Sequence, residues 1–455
     1  MKKALALILS LLFLTALFSG CAQTPSQGPS DSGSSEGTTE VLLWHFPLYD
    51  GAEQFFSETL AAAVKEKYPN ITLKTEMLSW DAGPERLTVA MATGATPDLI
   101  IDGHARLNPG VFAGLCADIS DLREEFKPLM YDGYDEIGLV DGSYFFMPVA
   151  NSNGYVFIVN TDLAKELGVY DLLPEDRVHW SYDQFLEFCR KAREAGRDQN
   201  AYPLQLFAGN RSSDAAMYSF LMCGGTELLN EDQTAMAVNT PEAVSTLNLL
   251  KQLIDEDLVP QGAATTKDED TASVFHSGRT VLQLAAAGAQ NNITVQAKAD
   301  AGEIEFFNTD TCNYPTPDGI ADPHVANWGA NGMVIFKNDN DEAVIEGAKN
   351  VIRTLYTDTE LITELNSGMG MAPTNKNVSI DYGEEYLNQL AARANEWNAK
   401  YSDSTIGILE PWWDNWRETF YVELQEFYVG NQSAEQMLAN WTEKGNAVIQ
   451  RSLNS

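Results

Sequence analysis

The strongest constraint on the fold is an alternation of short apolar runs with amphipathic segments. Apolar runs typical of strands lie at 41–46, 71–78 and 98–101, and segments of helical periodicity lie between them at 53–68 and 85–93. Pro69 and Gly94 mark the ends of the two helices. This order predicts an α/β fold with a largely parallel sheet, in which ligands bind at the carboxyl ends of the strands.

Further elements follow this first unit. We predict strands at 144–148 and 155–160, and then helices at 181–195, 212–223, 241–256, 271–276, 341–356, 384–397 and 412–428. The chain from residue 40 to 455 is too long for one hydrophobic core, so we expect more than one domain.

The first forty residues have the layout of an export signal. Lys2 and Lys3 precede an apolar stretch at 4–18 that is too short for a comfortable membrane span. This stretch ends at Phe18-Ser19-Gly20-Cys21, which resembles a bacterial lipobox, although an ordinary signal with an incidental cysteine is the alternative. We therefore expect residues 1–20 to be a signal peptide and Cys21 to carry a lipid such as palmitate. Residues 21–39, rich in Ser, Gly and Thr, would form a disordered tether at the cell membrane.

The formal net charge of −36 narrows the range of partners. A surface this acidic repels phosphate backbones and anionic headgroups, which argues against nucleic acid binding. It also argues against an anionic solute, although a local basic pocket could override the net charge.

Cysteine and histidine spacing indicates no metal site. Cys116, Cys189, Cys223 and Cys312 are spread singly, without the paired spacing of zinc ligands, and could form disulfides or remain buried thiols. The five histidines lie far apart, and no Gly-Lys dipeptide of a phosphate-binding loop occurs. The acidic run at 338–342 fits a helix start better than a calcium loop. We expect no cofactor and no metal.

Five motifs, in order, make the chain resemble bacterial extracellular solute-binding proteins of the maltose-binding-protein type. They are Gly94-Ala95-Thr96-Pro97-Asp98-Leu99-Ile100, Phe146-Met147-Pro148 with Tyr155-Val156-Phe157-Ile158-Val159-Asn160, His179-Trp180-Ser181-Tyr182-Asp183-Gln184-Phe185, Phe275-His276-Ser277-Gly278-Arg279-Thr280-Val281, and Gly430-Asn431-Gln432-Ser433-Ala434-Glu435-Gln436. The resemblance covers nearly all of residues 40–455.

The resemblance implies a two-lobed periplasmic-binding-protein fold, the type II-like Venus flytrap, with a ligand cleft between the lobes. Lobe 1 would comprise 40–149 and 325–370, and lobe 2 would comprise 150–324 and 371–455. The chain would cross between them near 148–153, 322–331 and 372–374. The implied function is that of a monomeric extracytoplasmic lipoprotein. It would capture a small solute, a sugar or oligosaccharide, for the permease subunits of an ABC importer, without catalysis.

Sugars are held by aromatic rings on their apolar faces and by polar groups on their hydroxyls, so candidates were sought at strand ends and in the following loops. From strand ends we select Trp44, His45, Tyr49 and Trp80. The resemblance adds positions where the family places ligand contacts, namely Asp102, Arg106, Asn151, Asn153, Arg211, Asp214, Trp328, Trp412, Trp413 and Trp416.

Several of these candidates have a structural alternative. Trp44 could serve the core, and Asp214 could cap a helix. Trp412 and Trp416 are one helical turn apart, so we expect one to pack inward while Trp413 faces outward. Where the family frequently has Gly-Pro-Trp, this chain reads Gly288-Ala289-Gln290-Asn291.

Two other functional classes remain open at the level of sequence. Abundant carboxylates and tryptophans also suit a secreted glycoside hydrolase. A lipoprotein that reports its ligand to a membrane kinase is the second alternative. Turnover of oligosaccharides would separate a hydrolase from a binding protein.

Overall fold

The computed structural model describes residues 38–80, 82–317, 322–327, 329–338, 342–403 and 406–454. The proposed signal peptide, Cys21 and almost all of the tether therefore lie outside the described residues, and so does Trp328. In the part of the chain that is described, no helix is long and apolar enough to cross a membrane.

The strands are β1 (Thr39–His45), β2 (Ile71–Met77), β3 (Leu99–Gly103), β4 (Leu139–Val140), β5 (Ser143–Tyr144), β6 (Met147–Asn151), β7 (Tyr155–Asn160), β8 (Tyr202–Leu204), β9 (Thr280–Ala286), β10 (Thr309–Cys312), β11 (Val325–Ala326), β12 (Ala330–Ile335) and β13 (Ser402–Asp403).

The helices are α1 (Ala52–Gln54), α2 (Ala61–Lys67), α3 (Gly83–Thr93), α4 (His104–Phe112), α5 (Ser120–Phe126), α6 (Thr161–Glu166), α7 (Tyr182–Gly196), α8 (Ser213–Cys223), α9 (Pro241–Asp255), α10 (Asp268–His276), α11 (Gln290–Asp300), α12 (Glu342–Thr357), α13 (Thr359–Met369), α14 (Glu385–Tyr401), α15 (Trp413–Arg417), α16 (Tyr421–Tyr428) and α17 (Ala434–Leu453). A π-helical segment, Phe55–Leu60, joins α1 to α2.

Two larger sheets organise these elements, with strand orders β2-β1-β3-β12-β6 and β10-β7-β9-β8. We call the first sheet with its helices the first lobe, and the second sheet with its helices the second lobe. The strands β1, β2 and β3 are parallel as predicted. The first sheet is also largely parallel in strand direction, because β12 is antiparallel to both β3 and β6 and is the one reversed strand of the five. In the second sheet β7 is the reversed strand, antiparallel to β9 and β10, while β8 and β9 are parallel. The reason is topological: β7 and β12 begin where the chain enters a lobe from the other one, so they run away from the cleft.

Each lobe has its own apolar interior. The first sheet is covered on both faces, with Leu43 and Ile101 packing on one side and Ile100 and Val334 on the other. This alternation follows from the two-residue period of a strand. In the second lobe, Phe157 of β7 packs among the rings of Trp180, Phe185, Phe220 and Tyr314.

Local sequence signals explain several helix ends. Ser181 and Gln184 form a capping box at the start of α7, and Ser433 and Gln436 form another at the start of α17. One predicted helix, 412–428, is instead divided into α15 and α16. The hydroxyl of Thr419 donates to the carbonyl of Trp416 at 2.7 Å, which accompanies the break between them.

Three chain segments connect the lobes side by side. The backbone N–H of Asn151 donates to the carbonyl of Ala372, and that of Ser152 donates to the carbonyl of Gly329, both at 2.8 Å. The side chain of Asn327 donates to the carbonyl of Ser152 at 2.9 Å. These bonds tie the segments together at the base of the cleft.

Candidate ligand-binding cleft

The first lobe presents the ends of three parallel strands at one edge. His45, Met77 and Ile101 are in register there, so the residues that follow them lie close together. Trp80 follows β2, and its ring stacks on Phe46 with centroids 4.5 Å apart and an interplanar angle of 15°. Trp80 nevertheless remains 47% exposed. It is therefore an aromatic surface that Phe46 holds in place and that remains partly accessible to solvent.

A charged pair lies beside this tryptophan. Arg106 places its guanidinium carbon 5.4 Å from the Trp80 ring centroid, and its Nε is 2.5 Å from the carboxylate of Asp102. The two residues sit four positions apart, at the junction of β3 and α4, so one helical turn brings them together. Burial raises the pKa of Asp102, and the guanidinium of Arg106 opposes that rise.

Two histidines near this edge are buried and neutral. His104 packs against Phe146 with ring centroids 4.2 Å apart and planes tilted by 32°, and burial lowers its pKa to about 3. Burial also lowers the pKa of His45, whose Nδ1 lies 3.1 Å from the carbonyl of Phe46. Neither imidazole contributes positive charge at neutral pH.

The second lobe faces this edge with an ion-pair network. Arg417 of α15 binds Asp214 of α8 through two hydrogen bonds, of 2.5 and 3.0 Å, and Asp214 is fully buried. Arg211 contacts the carboxylates of Asp414 and Glu418, each at 2.9 Å. The network fixes α15 against the loop that precedes α8.

Tyr155 and Asp268 complete this wall. The amide of Asn210 donates to the carboxylate of Asp268 at 2.7 Å. Burial opposes the ionisation of Asp268, but hydrogen bonds from Glu269, Asn210 and Ser212 outweigh it and lower its pKa. Burial raises the pKa of Tyr155 to about 12, and the carboxylates of Asp268 and Asp214 add to that rise.

The two lobes touch through α4. The side chain of Asn108 donates to the carbonyl of Ile408 at 2.9 Å, and both residues are buried. Ala105, one turn earlier, packs within the apolar cluster of the second lobe. Asp414 of the second lobe also contributes to the raised pKa of Asp102 in the first. Charged groups of the two lobes therefore lie close enough to interact at this contact.

The structure brings together four of the residues predicted from sequence: Trp80, Asp102, Arg106 and Arg211. Asp214 lies behind this wall as the buried partner of Arg417. Tyr49 is half-buried against Gly368, and burial raises the pKa of its hydroxyl. Asn151 lies at the end of β6, opposite Ala330.

Other predicted residues lie inside the protein. Trp44 is 4% exposed and belongs to the core on one face of the first sheet, with the guanidinium of Arg86 over its ring. His45 is fully buried against Phe56. Asn153 is buried in the crossing segments, where its amide donates to the carbonyls of Ala287, at 2.6 Å, and Gly370, at 3.2 Å.

The expectation that Trp413 faces outward is wrong. Trp412, Trp413 and Trp416 are each at most 1% exposed. They pack with Tyr218 and Trp441 in one aromatic cluster of the second lobe. The short α15 packs against α17 and α4, and Tyr218 of α8 contacts its indole rings, so Trp413 and Trp416 are enclosed.

The segment that replaces Gly-Pro-Trp has a packing role. A Cβ atom added to Gly370 would lie 2.5 Å from the Cβ of Gln290, which is too close. A Cβ atom added to Gly288 would lie 2.9 Å from the carbonyl oxygen of Gly370. Small residues here let the start of α11 approach the end of α13 at the crossing segments.

Sequence reasoning missed several residues of the second wall. Tyr155, Asn210, Asp268 and Asp414 were not selected, although Tyr155 is the first residue of a predicted strand and directly follows a crossing segment. This position next to a crossing segment could have identified Tyr155 as a candidate from the sequence. No comparable signal marked the carboxylates, because the chain contains 65 acidic residues and most of those that the structure describes are exposed.

The fold and cleft agree with comparisons to known proteins. The sequence model of the bacterial extracellular solute-binding protein family matches residues 59–392. The chain belongs to this family, and it is therefore an extracytoplasmic binding protein. A binding protein of Brucella abortus (strain 2308) is 23% identical over 405 residues, covering 87% of this chain and 90% of the relative.

Two solved structures have the same two-lobed fold. An ABC transporter solute-binding protein of Thermotoga lettingae, bound with α-D-tagatose, has a TM-score of 0.74 at 15% identity and covers 90% of this chain and 100% of that protein. Maltose-bound MalE3 of T. maritima has a TM-score of 0.72 at 16% identity and covers 90% of this chain and 99% of that protein.

Proposed function

We propose that this protein captures a carbohydrate in the cleft between its lobes and delivers it to the permease of an ABC importer. The observation that carries the proposal is Trp80. A half-exposed indole, stacked on Phe46 and flanked by Arg106, offers a ring for the apolar face of a sugar and a donor for its hydroxyls.

Three further points support the proposal. The family is one of solute-binding proteins, and the two similar structures were solved with tagatose and with maltose. The polar residues of both lobes converge on one space, as required for a ligand held from two sides. Arg211, Asp268, Asn210 and Tyr155 would supply the contacts of the second lobe.

The proposal extends to location and chemistry. Residues 1–20 would direct export, and a lipid on Cys21 would hold the protein at the cell membrane through the tether at 21–39. The protein would act as a monomer, with lobe 1 at 40–149 and 325–370 and lobe 2 at 150–324 and 371–455. It would release its ligand unchanged, because its role is delivery and not cleavage.

A ligand screen tests the function. Melting temperatures are measured with a panel of mono- and oligosaccharides, since a ligand that binds only the native state raises the melting temperature. Calorimetry then gives the dissociation constant, expected on the order of 1 µM, or about −8 kcal/mol. Trp80→Ala should weaken binding about tenfold, equal to about 1.4 kcal/mol, without lowering the melting temperature of the free protein.

Phe112→Ala is the matched control, because Phe112 is an exposed ring of the same lobe, 40% accessible, at the far end of α4. Equal affinity of Trp80→Ala and the unmodified protein would remove Trp80 from the site. Products detected by chromatography after incubation with oligosaccharides would instead favour a hydrolase.

A further inference from the structure

The arginines nearest the cleft are already engaged by carboxylates. Arg106 pairs with Asp102 at 2.5 Å. Arg417 holds Asp214 with two hydrogen bonds, and the pairing raises the pKa of the Arg417 guanidinium further above its usual value. An anionic ligand would have to displace one of these intramolecular partners.

Arg211 is engaged twice. Asp414 lies on α15 and Glu418 directly follows that helix, and both contact the same guanidinium nitrogen of Arg211 at 2.9 Å. The Arg211 side chain is 20% exposed, so it is close enough to the cleft surface to meet a ligand. Its charge is more than balanced by the two carboxylates.

The two histidines near this wall add no positive charge. His45 and His104 are buried with lowered pKa values and are therefore neutral. Asp268 adds a carboxylate whose partners are uncharged amide and hydroxyl groups or another acid. The wall thus holds more carboxylates than guanidinium groups, within a chain whose net charge is −36.

We infer that the cleft selects uncharged sugars and rejects the corresponding sugar acids. This inference rests on the proposed sugar-binding function. A carboxylate that enters the cleft loses its water, meets arginines that are already paired with carboxylates, and enters the field of the neighbouring acids, which together make its transfer costly. A neutral sugar can use the same carboxylates as acceptors for its hydroxyls and leave the ion pairs intact.

Matched pairs of sugars test the inference. The probes are glucose, galactose, mannose and galactobiose, each beside its uronate: glucuronate, galacturonate, mannuronate and digalacturonate. Dissociation constants are measured by calorimetry at pH 7 and 0.15 M salt. We expect the uronate of the preferred sugar to bind at least a hundredfold more weakly than its neutral form.

A double substitution should reverse part of this preference. Asp414→Asn with Glu418→Gln removes both acidic partners of Arg211, so the disadvantage of the uronate should fall at least tenfold. The control is Glu187→Gln with Asp255→Asn, which removes the same charge from exposed helix-surface ion pairs, with carboxylates 59% exposed in each case. The control should leave the ratio unchanged.

The outcomes are distinct. A uronate that binds the unmodified protein as well as its neutral partner overturns the charge selection alone, and so does a ratio unchanged by the double substitution. Binding of no member of the panel overturns the sugar function and the inference with it. If the double variant does not fold, as judged by its thermal melt, Glu418→Gln alone is used, because that side chain is 51% exposed.

Discussion

At the scale of the residue, the same side chain type has opposite roles in the two lobes. Trp80 is anchored on one ring and remains half-exposed, whereas Trp412, Trp413 and Trp416 are enclosed. Both environments suit an indole, because its large apolar surface stabilises a core and also stacks on a sugar. The exposed fraction of the side chain, and not the residue type, therefore distinguishes a candidate ligand contact from a core residue.

Trp416→Ala should therefore test the core assignment. Trp416 is fully buried and contacts the rings of Tyr218, Trp413 and Trp441. Removing a buried tryptophan leaves a cavity, and we expect the free energy of unfolding to fall by about 3 to 5 kcal/mol in denaturant titrations. Trp80→Ala serves as the exposed comparison and should lower the free energy of unfolding far less. A similar loss of unfolding free energy for both variants would contradict the assignment of Trp416 to the core and of Trp80 to the surface.

At the scale of the element, α4 connects the proposed ligand site to the contact between the lobes. Its first turn carries Arg106, and its next turn carries Asn108, which binds the carbonyl of Ile408 in the other lobe. No helix is predicted from the sequence between the third strand and residue 144. Gly103 and Pro109 obscured a helix that tolerates Pro109 within its length.

Asn108→Ala should change the rate of ligand dissociation, although Asn108 is not one of the proposed ligand contacts. The substitution leaves the carbonyl of Ile408 without its partner, which costs about 1 to 3 kcal/mol in the state where the lobes meet. We expect faster ligand dissociation in stopped-flow measurements, with a smaller change in association. Asn160→Ala is the control, because Asn160 makes a buried bond at the start of α6, inside one lobe. Unchanged dissociation in Asn108→Ala would show that this contact does not distinguish bound from free protein.

At the scale of the whole molecule, the chain combines a two-lobed body with a proposed anchor. The body provides a cleft whose walls come from distant parts of the sequence: Arg106 from the first lobe, and Arg211 and Asp414 from two separated parts of the second. The four cysteines described, Cys116, Cys189, Cys223 and Cys312, are buried and free, so packing rather than disulfides holds the lobes.

The anchor can be tested independently of the ligand. Cells that express the full chain are labelled with radioactive palmitate and fractionated. We expect label on the unmodified protein and its recovery with membranes, because a lipid chain on Cys21 partitions into the bilayer. Cys21→Ser should lose the label and leave the membrane fraction. Label on the Cys21→Ser protein would contradict the assignment of this residue.

The sequence alone determined the α/β class, the order of the first strands and helices, and the family, because local periodicity and short capping motifs are written in contiguous residues. The boundaries of α7 and β7 followed from such signals. Trp80, Asp102 and Arg106 could be selected as candidates because they follow predicted strands, whereas Arg211 was selected only through the family resemblance.

Only the tertiary structure decided which strands are antiparallel, which tryptophans are enclosed, and which acids pair with which arginines. These properties depend on contacts between residues far apart in the chain, such as Arg211 with Asp414 or Asn108 with Ile408. Local patterns of hydrophobicity do not encode the partner of a side chain. Burial and pairing, which set the charge of the cleft, emerge only when the lobes pack.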